Sequence, residues 1–76
     1  MWYYDSSIGR LYVELTSEGA YGFRFRDDPT IWEACPTPED EISNISAHAT
    51  NCNEWDFSTA TAPDVLSEWV YVPDPR

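Results

Sequence analysis

Residues 1–26, MWYYDSSIGRLYVELTSEGAYGFRFR, alternate apolar and polar side chains over a longer run than any other part of the 76-residue chain. A period of two marks a strand with one buried face. The run is interrupted twice, so it predicts a three-stranded antiparallel meander. Ser17, Glu18 and Gly19 suit a three-residue hairpin loop with glycine in the left-handed position. That loop pairs Leu15 with Tyr21, Val13 with Phe23 and Leu11 with Phe25, all on one face. A four-residue loop, Ser6, Ser7, Ile8 and Gly9, pairs Tyr4 with Leu11 and Trp2 with Val13 on that same face. The two registers agree without adjustment, and a one-residue slip in either would turn the apolar set outward. The predicted core face is Trp2, Tyr4, Leu11, Val13, Leu15, Tyr21, Phe23 and Phe25. The opposite face carries Tyr12, Glu14, Arg24 and Arg26, with Glu14 diagonal to Arg24 and within cross-strand reach.

Asp27, Asp28 and Pro29 end the strand, and Asp28 is expected to cap a short helical turn with Pro29 in its first position and Trp32 as its anchor. Thr37, Pro38, Glu39, Asp40 and Glu41 predict a helix start: a capping hydroxyl, proline at the first helical position and acids near the positive end of the dipole. Ile42, Ile45 and Ala49 form its apolar stripe, and Asn51 or Asn53 is expected to end it. Trp55 and Phe57 flank Asp56, so 54–58 reads as a short strand. Thr61, Ala62, Pro63 and Asp64 repeat the cap–proline–acid pattern, and Val65, Leu66 and Trp69 are expected to line a short helix. Residues 70–72 read as a last strand, and 73–76 as a frayed tail after Pro73. The fold class is therefore α+β: one domain, 1–76, with a small antiparallel sheet led by the meander and one or two short helices on its aromatic face.

A chain this short has a small core. Four Trp, five Tyr and three Phe would dominate it, which excludes a disordered acidic tail despite a net charge of −10. The charge is unevenly laid out. Lysine is absent, and the cations are Arg10, Arg24, Arg26 and Arg76. Residues 1–26 carry Asp5, Glu14 and Glu18 against three of those arginines. Residues 27–75 carry Asp27, Asp28, Glu33, Glu39, Asp40, Glu41, Glu54, Asp56, Asp64, Glu68 and Asp74 with no Lys or Arg. Such an excess favours cationic partners and disfavours nucleic acid and anionic membranes. Arg10, Arg24 and Arg26 beside Tyr3 and Tyr12 faintly resemble a stacking platform for single strands, but phosphate contacts dominate such affinity and the net charge opposes them. A solvated face with cross-strand ion pairs is the preferred reading.

No basic segment followed by an apolar run marks a signal peptide, and no apolar run nears the roughly 18 residues of a membrane span. The expectation is a cytoplasmic protein with reduced thiols, in which the Asn44-Ile45-Ser46 glycosylation pattern is coincidental. Two cysteines, Cys35 and Cys52, are too few for a disulfide scaffold. His48, Cys52 and Cys35, with Glu54 or Asp56, offer zinc-type ligands but match no paired-cysteine spacing, so no metal or other cofactor is assigned. One histidine in so short a chain does not build a nucleophilic triad, and the acids sit at turns and helix starts, where solvated or capping roles explain them. No enzyme activity is expected.

The functional expectation rests on the acids, with Asp27, Asp28, Glu33, Glu39, Asp40, Glu41, Glu54 and Asp56 as the partner-binding set. Clustered carboxylates imitate a phosphate backbone and gain steered, salt-sensitive association with a basic surface. The implied partner is a basic, nucleic-acid-handling protein such as a host defence complex. Small acidic inhibitors of CRISPR or restriction machinery, encoded by phages and mobile elements and acting in the host cytoplasm, share this size and charge; the likeness is one of composition only. The alternative is an immunity-type or structural interaction module using aromatic surface, with acidity serving solubility or salt adaptation. An exposed edge strand could also pair two copies.

Overall fold

The structure, a computed structural model, describes residues 1–73. The part of the expected frayed tail at 74–76, with Asp74 and Arg76, lies outside the described residues. Five antiparallel strands form one sheet: β1 Trp2–Ser6, β2 Gly9–Leu15, β3 Tyr21–Phe25, β4 Ile31–Cys35 and β5 Val70–Tyr71, in the order β4-β3-β2-β1-β5. Two helices, α1 Pro38–Ser46 and α2 Asn53–Asp56, and a 3-10 turn at Leu66–Glu68 complete the α+β domain. No helix among the described residues is long and apolar enough to cross a membrane.

Both expected registers hold. Trp2 faces Val13 and Tyr4 faces Leu11; Leu11 faces Phe25, Val13 faces Phe23 and Leu15 faces Tyr21. Gly19 adopts φ +81°, and its N–H donates to the Thr16 carbonyl at 3.0 Å, closing the predicted loop. Leu11, Val13, Phe23 and Phe25 are buried and meet Ile42, Ile45, Cys52, Trp55, Ala60 and Trp69. Leu15 departs from the expectation and stays half exposed, at 51%. It is the last paired residue before the hairpin loop, and α1 packs across β2, β3 and β4 without covering that end.

Asp28 does not cap a helix. Its carboxylate accepts from the Thr30 N–H (2.9 Å) and hydroxyl (2.6 Å), and the chain continues as the edge strand β4. A bulge hides this strand from a search for alternation: Phe23 pairs with Glu33 and Arg24 with Ile31, so Trp32 is the extra residue. Thr37 caps α1 as expected, its hydroxyl accepting from the Asp40 N–H at 3.1 Å with Pro38 at the start of the helix. The helix ends earlier than its asparagines suggest. His48 takes the left-handed φ of 57°, donating to the Ile45 carbonyl while the Ala49 N–H donates to that of Asn44. This is the Schellman pattern, with histidine where glycine is usual, and it leaves Ala49 exposed and off the apolar stripe.

Residues 54–58 are not a strand. One helical turn sends Trp55 fully into the core and leaves Phe57 exposed at 85%. The Trp55 indole N–H donates to the Ile45 carbonyl at 2.8 Å, and the ring lies between His48, stacked at 4.9 Å, and Phe25. Trp69 closes the other end, its N–H on the Pro63 carbonyl and its ring against Tyr4. β5 then pairs with β1 through Tyr71 and Val70.

Candidate functional site

The eight acids singled out in the sequence divide by environment. Asp27, Asp28, Glu39, Asp40 and Glu54 lie toward solvent, Asp40 and Glu39 at the start of α1. The topology places them at two ends of one ladder. Asp27 and Asp28 turn from β3 into β4, and Glu54 joins them there by an ion pair to Arg26 at 2.7 Å. Glu39 and Asp40 follow the far end of β4, where Cys35 pairs with Tyr21 and the β2–β3 loop brings Glu18. Five residues of strand separate the two groups, about 17 Å at the usual rise.

Asp56 has an internal task. Its carboxylate accepts from the Thr50 N–H (3.0 Å), the Thr50 hydroxyl (2.8 Å) and the Asn51 N–H (3.0 Å), fixing the loop between α1 and α2. Asn51 is held left-handed there, at φ 71°. Asp56→Ala is expected to destabilise the fold by about 2–4 kcal/mol, because it orphans donors that include the fully buried Thr50. Urea unfolding measures this, and a loss below about 1 kcal/mol would show that the loop holds itself.

The arginines do not form an open cationic face. Arg10 pairs with Asp5 at 2.6 Å and lies 4.0 Å over the Tyr3 ring; Arg24 pairs with Glu14 at 3.1 Å and lies 3.9 Å over Tyr12. Arg26 leaves the sheet face altogether. At φ 57° it passes over Phe25, donates to the Ile8 carbonyl and reaches Glu54. Gly9 makes room for it: a Cβ there, at φ +136°, would come within 2.7 Å of Arg26 Cγ.

The remaining two acids, Glu33 and Glu41, meet between β4 and α1. Glu33 and Cys35 lie opposite the core residues Phe23 and Tyr21, so both point toward the helix. The ligand atoms of Glu33, Cys35 and Glu41 all lie within 4.8 Å of one another. Asn44, one turn further along α1, donates from Nδ2 to Glu33 Oε1 at 3.1 Å and reaches Cys35 Sγ at 3.5 Å. Glu41 is fully buried, which removes it from any docking surface, and neither of its oxygens has a hydrogen-bond partner. Desolvation foremost, then the adjacent Glu33 carboxylate as acceptor and as charge, push its pKa up to about 9. Two ionised carboxylates offer each other only acceptors; a proton on Glu41 converts that repulsion into a hydrogen bond. Burial and the charges of Glu41, Glu33 and Asp40 likewise push the Cys35 thiol up to about 11.

Both cysteines are free thiols. Cys52 is buried at the start of α2, and His48 Nε2 lies 2.7 Å from the Ala60 carbonyl. Among the described residues, the fold gathers Glu33, Cys35 and Glu41 rather than His48, Cys52 and Cys35. The latter set needs His48 and Cys52, four residues apart, on one helix face, and α1 ends before His48. The one sequence trace of the true cluster is the Glu33–Cys35 spacing of two, and it is readable only once β4 is known to be a strand. On the outer face, Glu14, Ile31 and Ala34 border an open groove of about 460 Å³ that runs to Thr16, Ser17 and Glu18 of the β2–β3 loop. Gly22 lets Ile31 lie across the sheet there, since a Cβ would come within 2.6 Å of Ile31 Cγ2. Comparison with protein-family models, with curated proteins and with solved structures found no match.

Proposed function

We propose that this chain is a non-enzymatic binding protein whose exposed carboxylates engage a basic, nucleic-acid-handling protein and block it by imitating the charge of a phosphate backbone. The observation that carries the reading is how the positive charge is used. Arg10, Arg24 and Arg26 are each held by a carboxylate of the fold, while no ion pair among the described residues engages Asp27, Asp28, Glu39 or Asp40. These three cations serve the scaffold, and two acidic ends remain for a partner with matching basic patches. An inhibitor of CRISPR or restriction machinery, encoded by a phage or mobile element and acting in the host cytoplasm, is the proposed biological class.

The partner captured from a host lysate should bind with an affinity that falls by about ten-fold or more between roughly 0.05 and 0.5 M salt, and DNA or RNA should compete. Asp27→Asn, Asp28→Asn, Glu39→Gln and Asp40→Asn combined should weaken binding comparably without changing the fold, since none of the four is buried. Binding that ignores salt and these changes would overturn the proposal. A second reading then takes over, favoured by the exposed rings of Phe57 and Tyr71: an interaction module using aromatic surface that Phe57→Ser or Tyr71→Ser would disable.

A further inference from the structure

We propose that Glu33, Cys35 and Glu41, with the Asn44 side-chain amide, form a binding site for a single divalent transition metal ion of the zinc class at the β4–α1 interface. Two independent observations converge. The first is composition and placement: two carboxylates and a thiol from two different elements have their ligand atoms within 4.8 Å of one another. The second is the state of Glu41. It is fully buried, no hydrogen-bond donor reaches either of its oxygens, and it lies in this cluster rather than toward solvent. A buried carboxylate in that state calls for a positive charge, a proton or a metal ion.

The donor set selects the kind of ion. A cysteine ligand favours zinc-class metals over magnesium or calcium, which take oxygen ligands alone. The edges of a zinc tetrahedron with two oxygens and one sulfur are about 3.3–3.6 Å, so the three atoms need close by no more than about 1.5 Å. Asn44 completes the set. Its amide is oriented by donating to Glu33 and Cys35, and turned over it presents Oδ1 to the same centre as a fourth ligand. Thr37, Pro38 and the α1 cap fix the helix start that carries Glu41, so that ligand is held on a rigid element.

Full-length protein freed of metal by a chelator and dialysed against limiting Zn²⁺ should retain one ion per chain, and its melting temperature should rise with zinc. Co²⁺ should give a thiolate-to-metal charge-transfer absorption that Zn²⁺ displaces. Cys35→Ser should abolish that band, and Glu41→Gln or Glu33→Gln should weaken retention by at least about ten-fold. The cobalt band in the native protein tests the site without any variant. No band and no retained zinc would overturn the proposal, as would retention unchanged in Cys35→Ser and Glu41→Gln proteins whose circular dichroism is native.

Discussion

Replacing Glu41 with glutamine is expected to stabilise the metal-free protein at neutral and alkaline pH, by a margin that grows with pH. The sign follows from proton counting. In the folded chain Glu41 titrates at about 9, against an ordinary value of 4.5. Between those limits the folded state holds a proton that the unfolded state has released, so stability falls as pH rises. This side chain's contribution is intact below about 4.5 and fully lost above about 9. The difference between the Glu41→Gln and native proteins should therefore widen by about 1.4 kcal/mol per pH unit in that window, reaching on the order of 3 kcal/mol by pH 7. The groups facing Glu41 are the Glu33 carboxylate and the Cys35 thiol, and both are common to the two proteins. The substituted amide keeps the shape of the side chain and can donate to Glu33 without a charge. Urea unfolding of both proteins from pH 5 to 8, with chelator present, gives the comparison. Parallel stability curves would show that Glu41 is not a buried acid of this kind.

The second large effect is at Trp55. Trp55→Ala is expected to destabilise the fold by about 3–5 kcal/mol. The indole is fully buried among Phe25 and His48, and its N–H serves the Ile45 carbonyl, which would keep only the His48 N–H. Total stability for a domain of this size is about 4–11 kcal/mol, so the variant should lose at least about 12 °C in melting temperature and approach unfolding at 37 °C. Trp55→Phe separates the two contributions: it keeps a ring in the core and removes the hydrogen bond, whose net contribution is about 0.5–1.5 kcal/mol because the Ile45 carbonyl retains the His48 N–H. Equal losses in the two variants would place the effect in the hydrogen bond alone. A loss below about 1 kcal/mol for Trp55→Ala would mean that α2 is not anchored through this residue.

The meander was legible from pattern because its information is local. Alternation decides the face and hairpin loops decide the register, and two loops that agree over-determine both. Trp2, Tyr4, Val13 and Phe23 needed no tertiary knowledge to be paired. The start of α1 was legible for a similar reason, since a cap, a proline and three acids lie within one turn. Its end was not, because the left-handed residue is His48, whose conformation glycine or asparagine would normally advertise. α2 was misread because Trp55, Asp56 and Phe57 alternate over too short a span to tell a strand from a turn of helix. What decides there is Asp56, whose partners Thr50 and Asn51 come from the preceding loop.

The placement of charge follows the same division. Composition alone locates the excess acid in 27–75, since a count needs no coordinates. It cannot tell that Glu39 and Asp40 meet water while their neighbour Glu41 is fully buried. All three share the first turn of α1, but Glu41 lies on its buried side with Ile42 and Ile45 and meets Glu33 and Cys35 on a strand whose bulge conceals its own alternation. Burial and the pairing of distant side chains arise only when two elements pack, and a one-dimensional pattern carries no record of which elements do. The chain's alternation thus determines its scaffold, and the packing of α1 on β4 determines which carboxylates remain for a partner and which are held inside.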